Sequence, residues 1–258
     1  MKVDMEGKVY LGFDIETTGQ FPTENSMIAL GMFLVDNQGK ELNKFFVCLK
    51  EDGMKREERC MTEFWGNFAE LWEFIQTSAI EPLVAMQLAV EWLSKIEMAY
   101  GDRLVVLSDN ASYDVAWINM YLSRYHDFLK RPMLYYGLQK NPKWKENADP
   151  EENVGQEEFT YQYRRIWDTD SAFHGALVLE KGESIEWKLE DRLGVQNPKW
   201  KNSHHPEEDA ANIATNYALF LKKYCGEIQI PFKKSKSNSS EVEEESCAEV
   251  FLTENHNY

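Results

Sequence analysis

Three short apolar runs open the chain: KVYLGFDI at 8–15, MIALGMFLV at 27–35 and ELNKFFVCL at 41–49. Each has strand length and is rich in Val, Ile, Leu and Phe. The turn signal DNQG at 36–39 separates the last two. Such runs predict an N-terminal antiparallel meander. The period then changes. KREERCMTEFWGNFAELWEFIQ (55–76) has helical spacing in its second half, and PLVAMQLAVEWLSKIEMAY (82–100) predicts an amphipathic helix with Pro82 in its first turn. A strand is expected at RLVVLS (103–108), a helix at SYDVAWINMYLSRY (112–125) and a strand at YRRIWDT (163–169). PEEDAANIATNYALFLKKY (206–224) opens with proline and acids, as a helix N-terminus prefers. A meander followed by alternating strands and helices predicts an α/β fold with a mixed sheet flanked by helices.

Two stretches stand outside this pattern. Residues 131–162 are polar and read as a loop or small insertion, while 232–258 combine low hydrophobicity with blocks of charge and read as a disordered acidic tail. The expected organisation is one domain over 1–231 followed by that tail. NPKWKEN at 141 and NPKWKNS at 197 echo each other, but the unit is too short for a repeat architecture. Both put Trp between lysines, an arrangement that suits either stacking on a nucleic-acid strand or an aromatic-anchored surface turn.

Composition narrows the class. With 43% hydrophobic and 13% aromatic residues, the chain of 258 residues can bury a core. No apolar run is long enough to span a membrane, and the first residues lack the features of a signal peptide. Cys48, Cys60, Cys225 and Cys247 form no CxxC pair, which favours free thiols in a reducing compartment. An intracellular location follows as the expectation, cytoplasmic or nuclear, with no membrane partner. The net charge of −16 argues against a broad nucleic-acid-binding surface. Bound divalent cations would reverse that objection locally.

Candidate chemistry lies in three acidic stretches. In FDIETTG (13–19), Asp14 and Glu16 stand two apart on a strand and project to one side. Carboxylates so close repel unless a cation lies between them, and magnesium or manganese suits oxygen ligands. In SDNASYDVAWIN (108–119), Asp109, Asn110 and Ser112 are candidate helix caps, while Asp114 sits in the first turn. In NSHHPEEDA (202–210), Asp209 lies in a first helical turn behind the paired His204 and His205. The two histidines are expected to diverge as neighbours in an extended loop do, and helix geometry alone favours neither: if His204 faces the metals, His205 faces solvent or the NPKWK turn.

FDIETTG, NASYD and HHPEEDA, in that order, resemble the three motifs of the DEDDh 3′-5′ exonuclease superfamily, which includes polymerase proofreading subunits and RNase T-like enzymes. The resemblance spans roughly residues 8–224. Asn110 and the Tyr113–Asp114 pair match the second motif, where Asp109 replaces the usual histidine. WDT at 167–169 is similar to an Asp-Thr between the second and third motifs. His204 has the third motif's spacing to Asp209, and Pro206 replaces a usual alanine. The resemblance implies an RNase H-like five-stranded mixed sheet. It also implies two Mg²⁺ or Mn²⁺ ions held by Asp14, Glu16, Asp114 and Asp209, with Asp14 bridging. His204 would be the general base, its ordinary pKa lying near working pH. The implied substrate is the 3′ end of single-stranded nucleic acid, DNA favoured and RNA open, and the product a nucleoside 5′-monophosphate. Thr17, Thr18, Gly19, Asn110, Phe64 and Trp65 are the candidate substrate contacts, and Phe21, Phe64 and Trp65 the candidates for an apolar wedge at the last base, each with core packing as its other reading. A tyrosine-type relative would place Tyr where His205 stands. The alternative from another class is a silent scaffold that binds nucleic acid or a polymerase. A polymerase or another protein is a candidate partner through the C-terminal tail.

Overall fold

The computed structural model describes residues 7–125, 136–140, 159–163, 166–181, 189–199 and 203–225. β1 (Val9–Thr17), β2 (Met27–Asp36) and β3 (Glu41–Cys48) form the expected meander, with antiparallel ladders joining β1 to β2 and β2 to β3. After a π-helical turn (Cys60–Phe64) and a 3₁₀ turn (Trp65–Asn67) come α1 (Ala69–Ser78) and α2 (Pro82–Tyr100). β4 (Leu104–Ser108) and β7 (Ile166–Asp168) then add in parallel, giving the order β3-β2-β1-β4-β7. The sheet is five-stranded and mixed, and β1 is its central strand, as an RNase H-like fold requires.

The remaining helices are α3 (Ala111–Tyr125), α4 (Thr169–Lys181), α5 (Leu189–Leu193) and α6 (Pro206–Cys225). Residues 131–162 were expected to be a loop or small insertion. Their described parts pair as a separate antiparallel two-stranded sheet, β5 (Tyr136–Lys140) with β6 (Phe159–Tyr163). Tyr, Phe, Thr and Leu at these positions favour strand even though the flanking sequence is polar. By internal compactness the chain divides between Ile228 and Gln229. The tail from 232, and the protein-docking role read into it, lie outside the described residues, as does the first NPKWK copy. The second copy begins as a turn, in which the Asn197 amide donates to Asn216 Oδ1 (2.7 Å) and the Lys199 amide to Asn197 Oδ1 (2.8 Å). Among the described residues no helix is long and apolar enough to cross a membrane.

Alternation along β1 separates two cores. Val9, Leu11, Phe13 and Ile15 join the side chains of α2 and α3 on one face, while Tyr10 joins α4, α5 and α6 on the other. Gly12 shares the second face, and α6 lies directly on it. A Cβ on Gly12 would sit 2.2 Å from the Ala210 carbonyl oxygen, and one on Gly31 of β2 would sit 2.2 Å from the Pro206 carbonyl. These two glycines let the first turn of α6 approach the sheet beside the acidic end of β1. On the opposite face α3 is pinned to the start of β2. The Met27 amide donates to Tyr121 Oη (2.7 Å), and Asp52 accepts from Ser26 Oγ (2.7 Å), Tyr125 Oη (2.7 Å) and Arg124 Nη1 (2.5 Å). Those bonds hold the Asp52 carboxyl below its ordinary pKa against the opposing effect of burial.

Candidate active site

The carboxyl ends of β1, β4 and β7 lie side by side, and acids cluster there. β1 supplies Asp14 and Glu16, the residue after β4 is Asp109, and β7 ends in Asp168. The first turn of α3 adds Asp114 and that of α6 adds Asp209. Glu16, Asp114 and Asp209 are each more than nine-tenths buried. Two triads stand out: ligand atoms of Glu16, His204 and Asp209 lie within 4.8 Å of one another, as do those of Asp14, Asp109 and Asp114. The four acids singled out in the sequence, drawn from three distant segments, therefore converge with His204 on one place.

The side chains are held from behind. Ser108 Oγ donates to Asp114 Oδ2 (2.5 Å), and the Ser203 amide donates to Asp209 Oδ1 (2.8 Å). The Glu208 and Asp209 amides donate to the His205 carbonyl, which starts α6. Ser203 Oγ engages Glu208 Oε2 (2.7 Å).

Electrostatics oppose this arrangement in the absence of cations. Burial raises the Asp14 carboxyl well above its ordinary pKa, and Glu16, Asp114, Asp109 and Asp209 raise it further. Glu16 is likewise raised, by burial and then by Asp209 and Asp114. Burial lifts Asp114 to about 8 against the Ser108 bond, and Asp209 to about 7 against the Ser203 and His204 backbone bonds. Among the described residues, the charged side chains that act most strongly on these four groups are carboxylates. A buried, all-oxygen set with unrelieved like-charge repulsion fits hard divalent cations.

A pH dependence follows. For acids whose folded pKa exceeds the unfolded value, the folded chain holds protons longer, so stability is fully present below about pH 4 and is lost as pH rises through about 7 to about 8. In EDTA, the melting temperature of the wild type should fall from pH 5 to pH 8.5 more steeply than that of Asp14→Asn, and saturating Mn²⁺ should remove the difference. Parallel curves in EDTA would mean that the acids do not repel.

The histidines diverge, but not as an extended loop would make them. His204 has φ +59°, the left-handed region, which is uncommon for a residue with a Cβ. That twist sends its ring against the edges of Phe64 (4.8 Å between centroids) and Phe68 (4.7 Å) beside the acids, and burial lowers its pKa. His205 was expected toward solvent or the NPKWK turn. It packs instead between Phe46 (4.8 Å) of β3 and Phe74 (5.9 Å) of α1, its Nδ1 buried and unpartnered among the described residues.

The candidate substrate contacts divide by exposure. Thr17 and Thr18 are buried. Thr17 Oγ1 donates to the Gly19 carbonyl (2.7 Å) and lies 2.9 Å from Tyr113 Oη, which reaches that carbonyl at 3.1 Å, while Thr18 Oγ1 accepts from the Ser26 amide (2.9 Å). Their hydroxyls shape the turn after β1, so a substrate would meet this segment's backbone. A Cβ on Gly19 would collide with the Asn25 side chain at 2.5 Å. Trp65 is 2% exposed and donates its indole N–H to the Thr17 carbonyl (2.9 Å), which makes it a support under the strand end, without a free face for a base. Phe64 remains beside His204. Asn110 is exposed at the start of α3, its carbonyl accepting from the Tyr113 and Asp114 amides. Phe21 is 58% exposed. Ser108, Ser203, Gly12 and Gly31 went unnoticed in the sequence. The two strand glycines, in LGF and LGM, were the readable signal of a close backbone approach.

No protein-family model matches the chain. Over 125 residues it is 25% identical to the Escherichia coli 3′-5′ DNA exonuclease Cap18, a match covering 48% of this chain and 62% of that relative's length. The nuclease domain of 3′hExo, a DEDDh family member bound to rAMP, aligns with a TM-score of 0.55 at 13% identity, over 86% of this chain and 96% of that one. Schizosaccharomyces pombe Pop2p in its Mg²⁺- and Mn²⁺-bound form aligns at 0.52 and 12% identity, over 83% of each chain. The chain has the fold of the nuclease domain of a DEDDh family member.

Proposed function

We propose that the chain is a metal-dependent 3′-5′ exonuclease that removes nucleoside 5′-monophosphates from the 3′ ends of single-stranded nucleic acid, DNA before RNA. The observation that carries this reading is the convergence of Asp14, Glu16, Asp114 and Asp209 with His204 at the carboxyl end of the central strand. The preference for DNA draws support from the similarity to a DNA exonuclease. A silent scaffold would have no need to bury four mutually repelling carboxylates beside a histidine.

Two Mg²⁺ or Mn²⁺ ions, when bound, would supply Lewis acidity to the scissile phosphate and to the two oxygens of an in-line displacement. Asp14, Glu16, Asp114 and Asp209 would hold them. His204, at a ring nitrogen, takes the proton of the attacking water. Its depressed pKa keeps it neutral and receptive at neutral pH. The Phe64 and Phe68 rings fix its orientation. The buried turn at Thr17, Thr18 and Gly19 presents backbone against which a terminal 3′ nucleotide can seat.

Matched single-stranded DNA, single-stranded RNA and duplex oligonucleotides, each labelled at the 5′ end, test the substrate class. Single-stranded DNA should shorten fastest and duplex slowest, since a surface with a net charge of −16 cannot track a long backbone. Preference for duplex would contradict the reading.

A further inference from the structure

Asp109 read as a helix cap in the sequence, and the four acids above complete the set implied by the motifs. The sheet register gives it another place. The parallel β1–β4 ladder pairs Tyr10 with Val105, Leu11 with Val106 and Gly12 with Leu107. Continued by two residues, that register sets Asp14 opposite Asp109. Leu107 belongs to the core beneath α6, on the face that Gly12 and Asp14 share, so a side chain two residues further on projects the same way. On its other flank Asp14 faces Gly31, which offers no side chain. Asp109 is thus the cross-strand neighbour of Asp14 on this face, and its carboxylate lies within 4.8 Å of ligand atoms of Asp14 and Asp114. The proposed ion set therefore has unequal halves: Glu16, His204 and Asp209 surround one position, and three carboxylates surround the other.

Resting on the metal-dependent reading above, we propose that Asp109 is a fifth carboxylate of the site and holds the ion that Asp14 and Asp114 share. A carboxylate there adds a hard oxygen donor and one unit of negative charge where an imidazole would add neither. It also extends the acidic field outward, since Asp109 interacts with Asp168, Asp170 and Glu190 beyond the site. Position 109 would then set how tightly one ion of the pair is held, and leave the other to Glu16 and Asp209.

The test is Mn²⁺ binding to the full chain without nucleic acid, followed by titration calorimetry and by the paramagnetic signal of free Mn²⁺. Wild type should bind two ions. Asp109→Asn, nearly isosteric, should weaken one by about 10- to 100-fold and leave the other within a few-fold, and its EDTA-treated form should melt no lower than wild type. Asp170→Asn, which removes a nearby charge outside the triads, should change neither ion by more than a few-fold. Asp109→Ser serves as a second variant should the amide misfold. Two unchanged ions in Asp109→Asn, or an equal loss in Asp170→Asn, overturns the inference while the metal site stands. A wild type that binds no ion overturns the metal site itself.

Discussion

Asp14→Ala should abolish most turnover without unfolding the protein. Asp14 lies on the central strand, and Glu16, Asp114, Asp109 and Asp209, drawn from both halves of the acid cluster, all act on it. If Asp14 helps hold the proposed ions, removing it would take away several kcal/mol of transition-state stabilisation. About 4 kcal/mol corresponds to roughly a thousandfold in rate. The same change relieves repulsion in the metal-free protein, so its melting temperature in EDTA at pH 8 should equal or exceed that of the wild type. Steady-state rates with saturating Mg²⁺, beside melting curves in EDTA, check both halves. Activity within tenfold of wild type would remove Asp14 from the site.

His204→Ala should lose about 10² to 10⁴ in turnover, the usual contribution of a general base, and should still bind single-stranded substrate. His205→Ala should remain within about tenfold, because its ring fills the slot between Phe46 and Phe74 and belongs to neither triad of ligand atoms. The pH–rate profile separates the two. A base must be neutral, so activity rises with pH through its ionisation, and burial places that limb below the ordinary value of 6.5 for His204. The limb should persist in His205→Ala and vanish in His204→Ala. Loss of the limb in His205→Ala alone would mean that the third motif is aligned one residue off.

The strands and the long helices were legible because their periods are strong. β1 to β3 fall within two residues of their apolar runs, and α2 runs from Pro82 to Tyr100 as its amphipathic pattern predicts. The acids were legible for a different reason. Asp14 and Glu16 share a strand face by alternation, and Asp114 and Asp209 open helices where carboxylates are favoured. That the three segments meet is a matter of topology. Only the motif resemblance carried it, since periodicity does not say which helix ends beside which strand.

Asp109 shows where local reading fails. Its position before α3 is that of an ordinary cap, and only the β1–β4 register brings it beside Asp14. Trp65 shows the converse. An aromatic next to a motif suggests a base-stacking surface, but whether its face is free depends on the turns that fold it under Thr17. His204 diverges from His205 through a left-handed backbone, which nothing in the pair HH announces. The β5–β6 pair was hidden by the charged residues around it.

The most direct test of the account is a time course on a single-stranded DNA oligonucleotide labelled at its 5′ end, with Mg²⁺ and with EDTA, using wild type and Asp14→Ala. The account predicts a ladder that shortens one nucleotide at a time from the 3′ end, with nucleoside 5′-monophosphates released, in wild type with Mg²⁺ alone. Degradation that survives EDTA or Asp14→Ala, internal cuts without a ladder, or an intact oligonucleotide in every lane would contradict it.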